Sequence, residues 1–227
     1  MLDQLMIVIV ALVALHGVDV HGQVVGHGPV GFVRMVNVVS AGVGKLEFSI
    51  DGKQVRPAGY QTGNVTGGIA LEPKTYKVVF SREGVRGGAT VLRVVANETT
   101  ILIPFAELVA ASADRPARWE IRILRLKQHE VEDQRVATFV SVSRDPELKV
   151  EIRQADGRWE PVYVKRLGIG RAAIQQSRGY LAVRCKQQEL SAVSVVACGN
   201  FVSVLYEDED GMLQSKFFQD YKYLSAD

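Results

Sequence analysis

Three arginines and two aromatic residues are the side chains of this sequence best suited to binding chemistry. Arg56, Arg82 and Arg86 fall in or beside stretches that read as loops of the first half. A guanidinium offers a planar fork of donors that matches a carboxylate bidentately, so all three are candidate anion contacts. Trp159 and Tyr163 stand four apart in an alternating run and therefore share one face of a strand. Aromatic faces are flat apolar platforms for a carbohydrate ring. The competing reading is that an inward Trp fills the core of a small sandwich.

Catalytic patterns are sparse. His27 and His129 have no Cys, His or carboxylate partner at metal-ligand spacing, which predicts neither a metal nor a cofactor. No Gly-x-Ser-x-Gly elbow occurs, and Gly168-Ile169-Gly170 lacks the Gly-Lys-Ser/Thr of a phosphate-binding loop. The carboxylates of residues 207–210 crowd a hairpin turn, where solvated charge is ordinary. These absences point away from an enzyme.

The elements that must position these residues follow a repeated grammar. Leu46, Phe48 and Ile50 alternate with polar neighbours and meet Asp51-Gly52; Leu148, Val150 and Ile152 do the same before Asp156-Gly157. A period of two predicts a strand with one buried face, and Asp-Gly supplies the positive φ of a hairpin turn. Tyr76, Val78 and Phe80 are answered by Leu181, Val183 and Cys185 at an offset of 105. The pattern predicts an all-β protein: two tandem immunoglobulin-like antiparallel β-sandwich domains, residues 30–126 and 137–218, joined by a polar linker at 127–136. Residues 90–96 and 99–105 read as a hairpin through Asn97-Glu98, and 107–113 as one or two helical turns. A phase slip at Leu124 and Leu126 reads as a bulge or an exit. The polar linker predicts domains that move relative to one another.

Residues 5–15, LMIVIVALVAL, form an apolar run too short to span a bilayer and suited to the core of a signal peptide ending near residue 22. Asp3 and the lack of a basic residue before the run keep an uncleaved anchor open, which would be the chain's one contact with a membrane. The expected location is periplasmic or secreted. Cys185 and Cys198 are predicted to be free thiols, because a simple hairpin about residues 188–189 would hold them roughly 20 Å apart. Residues 30–127 carry 14 Lys/Arg against 8 Asp/Glu, whereas residues 137–218 carry 11 against 10. A basic first half suits an anionic partner such as an acidic polysaccharide. No basic track interleaved with aromatic residues points to nucleic acid.

Val33-Arg34-Met35-Val36-Asn37, Ile50-Asp51-Gly52-Lys53, Leu71-Glu72-Pro73-Lys74-Thr75-Tyr76 and Ala155-Asp156-Gly157-Arg158 together resemble a family of exported bacterial β-sandwich proteins. That family includes periplasmic accessory proteins of alginate O-acetylation. The likeness runs from about residue 30 to 218, and Asn37-Val38-Val39-Ser40 departs from the Asn-Ala-Ser of many members. It implies a non-enzymatic exported adaptor that binds protein partners of a polysaccharide-modifying complex, or the polymer itself. The alternative is a secreted or surface module that binds glycans.

Overall fold

The computed structural model describes residues 28–127, 135–175, 179–190, 193–195 and 200–220. The predicted signal segment, most of the predicted linker, His27, His129 and Cys198 lie outside the described residues. Every regular element among the described residues is a strand, as the alternating pattern predicts.

The first half contributes β1 (Gly31–Met35), β2 (Val43–Ile50), β3 (Lys53–Gln54), β4 (Ile69–Leu71), β5 (Thr75–Glu83), β6 (Val85–Arg93), β7 (Thr99–Val109) and β8 (Arg118–Lys127). They run β3-β2-β5-β6-β8-β7-β1-β4. Only one parallel bridge, Arg86 with Glu120, joins β6 to β8. The chain therefore folds there into two four-stranded layers, closed over Leu46, Phe48, Phe80, Val33, Met35 and Leu102. Gly88 permits the closest approach, since a Cβ there would lie 2.6 Å from the Ile121 carbonyl oxygen. Asp51 and Gly52 both take positive φ (48° and 79°), the geometry of the predicted hairpin turn.

The second half holds β9 (Val136–Ser141), β10 (Glu147–Arg153), β11 (Trp159–Lys165), β12 (Ile169–Ala173), β13 (Gly179–Leu181), β14 (Val183–Cys185), β15 (Gln188–Glu189), β16 (Val193–Val195), β17 (Asn200–Glu207) and β18 (Leu213–Asp220). Layers β12-β9-β17-β18 and β11-β10-β14-β15 enclose Phe139, Leu148, Val150, Ile152, Leu181 and Phe201. In each half the first strand pairs in parallel with a late one, β1 with β7 and β9 with β17, and that late strand pairs antiparallel with the strand that follows it.

A third apolar cluster lies between the halves. Val36, Ile101, Ile103 and Phe105 of the first meet Val140, Val142, Val202 and Val204 of the second, all buried. Along residues 33–39 the odd-numbered Val33, Met35 and Val39 enter the first core, while the even-numbered Val36 and Val38 enter this third one. The molecule is thus four stacked layers with three apolar seams. The expected domain motion gives way to a closed interface, because exposing this cluster would return a row of Val, Ile and Phe to water.

Three local expectations change for related reasons. Residues 90–96 and 99–105 do not pair: β7 lies between β8 and β1, where both faces of its ILIPF run are covered. Residues 107–113 are not helical; β7 runs to Val109, in unbroken register with β8 from Thr100–Lys127 to Val109–Arg118. Leu124 and Leu126 mark no bulge. They lie on the face of β8 opposite Trp119, Ile121 and Ile123 and pack on the third cluster.

Candidate functional site

The aromatic pair stands on the outer layer of the second half. Strand β11 sends Val162 and Val164 inward to the core and leaves Pro161 and Tyr163 exposed, with Trp159 half-buried on the same outward side. Tyr163 is 59% exposed. At ~3.3 Å per residue the two rings sit about 13 Å apart along the strand, with Pro161 between them. Pro is tolerated there because β11 is an edge strand and needs no donor on its free side. The inward-Trp reading is set aside: Val162 and Val164 hold the inward parity.

Charged groups frame this surface. The Arg184 guanidinium lies 4.1 Å from the Trp159 ring centroid and donates from Nε to Glu151 at 2.7 Å. Glu151 also meets Lys149 Nζ at 3.1 Å. Arg184 first, then Lys149, hold the Glu151 carboxyl below the ordinary glutamate range. The register places Lys149 opposite Tyr163 and Arg153 opposite Trp159. An aromatic strip bordered by guanidinium, ammonium and carboxylate offers stacking surface together with donors and acceptors for hydroxyls.

The three arginines part company. Arg56 is exposed beyond β3, its guanidinium 5.8 Å from the Tyr60 ring centroid. Arg86 is exposed on β6 and donates to Glu120 at 3.0 Å. Arg82 is no loop residue: it lies in β5, buried, where it donates to the Val39 carbonyl, to Thr62 Oγ1 at 3.0 Å and to the Gly42 carbonyl at 3.3 Å. Its remaining partner, Glu209 of the second half, completes a structural clasp. A ligand would have to break that clasp to reach it.

A cleft of about 380 Å³ opens between the halves, lined by Phe105, Trp119, Tyr206, Arg144 and the 207–211 turn. Glu207, Asp208 and Glu209 are already engaged. Glu207 accepts from Ser143 and Arg144, and Glu209 from Arg82. Partial burial would raise the pKa of Asp208, but Gln214 and the Met212 and Asp210 amides outweigh it and hold the group below the usual range. These bonds close the β17–β18 turn. Among the described residues no group of three His, Cys, Asp or Glu is arranged to hold a metal ion.

Cys185 is a free, buried thiol whose pKa burial raises. The hairpin that carries it turns at Lys186-Gln187, not at 188–189. Cys185 pairs with Gln188, and β13 pairs with β16.

Fold and site together define an all-β architecture: stacked, mostly antiparallel layers with an outward aromatic strip. No family model and no curated protein matches the chain. Among solved structures it is similar to the family 26 carbohydrate-binding module CBMbc of Eubacterium rectale Amy13K in complex with maltoheptaose, at 7% identity and a TM-score of 0.25, over 84% of this chain and 96% of that one. It is also similar to the Bacillus anthracis TIE protein, at 11% identity and a TM-score of 0.24, over 85% of this chain and 42% of that one.

Proposed function

We propose that this protein is a non-catalytic polysaccharide-binding protein that seats a glycan chain along β11. The observation that carries the reading is the outward placement of Trp159, Pro161 and Tyr163 on one edge strand, bordered by Lys149, Glu151 and Arg184. Sugar rings stack their C–H faces on Tyr163 and Pro161. The Arg184–Glu151 pair, fixed against Trp159, bonds to hydroxyl or carboxylate groups. The exported setting and the part in exopolysaccharide O-acetylation that the sequence resemblance implies belong to this proposal. There the protein presents polymer to a partner acyltransferase.

Affinity electrophoresis in gels containing neutral or acidic polysaccharides tests the reading. Retardation of the wild type by at least one polymer, lost in Tyr163→Ala and in Trp159→Ala/Tyr163→Ala with unchanged melting, is the expected result. Tyr163 is exposed, so its removal leaves the core intact. Equal retardation of wild type and both variants on every polymer would overturn it.

A further inference from the structure

A second binding surface lies on the first half, where β6 and β8 part. Beyond the Arg86–Glu120 bridge the two strands bound a groove of about 740 Å³, floored by Gly87, Gly88 and Thr90. A further depression of about 340 Å³ continues it from Leu92 to Lys127, and Arg125 lines both. The line of β8 from Arg118 to Lys127 extends for about 30 Å at ~3.3 Å per residue.

Cations recur along this seam. Arg86, Arg93, Arg122, Arg125 and Lys127 line it, against the carboxylates Glu98, Glu107 and Glu120. Each carboxylate already has more than one cation or lies beside one. Glu120 takes Arg86, Arg118 and Arg122; Glu107 takes Arg122 and Arg166; Glu98 takes Lys127. Arg118, then Arg86, hold the Glu120 carboxyl below its ordinary range despite partial desolvation. The five cations that line the seam exceed its three carboxylates, so it keeps a positive excess. Arg86 and Arg122 are more than half exposed; Arg86 meets Glu120 through Nη1 and Arg122 meets Glu107 and Glu120 through Nε and Nη2, so each keeps further N–H groups for a ligand.

We infer that this seam binds a linear acidic polysaccharide whose carboxylates meet the arginine forks in succession. Its length suits an extended polymer better than a small anion, and guanidinium groups pair bidentately with carboxylates. The one aromatic residue lining it, Phe105, is buried, so no ring is offered for base stacking. The site is separate from the aromatic strip of β11 and stands without it.

Binding of polygalacturonate, a polyuronate, to the whole protein tests the inference, read by titration calorimetry at low and moderate salt. Arg86→Gln/Arg122→Gln should weaken binding by about tenfold or more and flatten its salt dependence, while Arg86→Lys/Arg122→Lys keeps the salt dependence. Circular dichroism and melting confirm that both variants are folded. Lys53→Gln, which removes an exposed cation of β3 outside the seam, should bind polygalacturonate as the wild type does. Loss in Tyr163→Ala with retention in Arg86→Gln/Arg122→Gln would uphold the aromatic strip and overturn the seam. Wild type that fails to bind at about 50 mM salt, or that binds polyglutamate or single-stranded DNA as tightly, would also overturn it.

Discussion

Arg82 Nη2 of the first half lies 3.4 Å from Glu209 Oε1 of the second, and only the arginine is buried, with 6% of its side chain exposed against 69% for the glutamate. The partnership is unequal in energy as well. Glu209 gives a solvent-screened ion pair worth about 0–1 kcal/mol. Arg82 also donates to the Gly42 carbonyl, to Thr62 Oγ1 and to the Val39 carbonyl, which it shares with the Thr62 hydroxyl, and without it the buried end of this clasp loses its cation. Arg82→Ala should therefore cost about 3 kcal/mol, and Glu209→Gln less than about 1 kcal/mol. Thermal or urea melts of the two variants check this. Equal losses would show that the pair, and not the carbonyl clasp, holds the 39–42 loop.

The apolar seam between the halves makes a second prediction. Val204 is fully buried in it and points away from the second core, which Phe201 and Leu205 of the same strand enter. Val204→Asp places a charge in the seam at a cost of several kcal/mol unless the halves separate. The expected outcome is separation with both inner cores retained. Small-angle scattering should show a larger radius of gyration, and calorimetry two transitions where the wild type has one. An unchanged radius with a single lowered transition would mean that the halves do not come apart at this surface.

Strands with one wet face were legible in the sequence because alternation reports one buried side. Leu46-Phe48-Ile50, Tyr76-Val78-Phe80 and Leu148-Val150-Ile152 all point into the cores as that period requires. The docking surface was missed because strands covered on both faces lose the alternation. The unbroken ILIPF at 101–105 and the FVSV runs at 139–142 and 201–204 carried that signal. The outward side of Trp159 ran against the general preference for an inward Trp; the parity of Val162 and Val164 in the same strand is the local signal that decides it. Arg82 was not legible. Its acceptors come from residues 39, 42 and 62, and no local pattern around position 82 announces them. The basic seam was hidden likewise: it exists because β8, and not β7, lies beside β6.

The turn at Lys186-Gln187 stores strain that one substitution can release. Both residues take the left-handed conformation, φ 51° and 64°, in a two-residue loop joining β14 to β15. That geometry suits Asn-Gly, and a β-carbon there costs about 1–2 kcal/mol. Gln187→Gly should raise stability by about 0.5–1 kcal/mol, after the entropy that glycine adds to the unfolded chain is subtracted. Chemical denaturation measures it. A loss of stability would show that the Gln187 side chain contributes more than its backbone strain costs.

Glu151 ties acid stability to the aromatic strip. Its folded pKa is lowered, chiefly by the Arg184 hydrogen bond and then by Lys149, while the unfolded chain has the ordinary value of about 4.3. Its contribution is therefore complete above that ordinary value and is lost as pH falls through the lower folded one. Glu151→Gln cannot make the charged contacts at any pH. The melting temperatures of wild type and Glu151→Gln should differ by a constant amount between about pH 5 and neutrality and converge in stronger acid. The gap should shrink with added salt, because the group is near the surface. Arg184 loses its carboxylate brace in the same variant, so its stacking on Trp159 should loosen and glycan retardation should weaken at neutral pH. A melting gap that widened on acidification would mean that Glu151 is held by something other than its two cations. Unaltered glycan binding in Glu151→Gln would separate the Arg184 brace from the work of the strip.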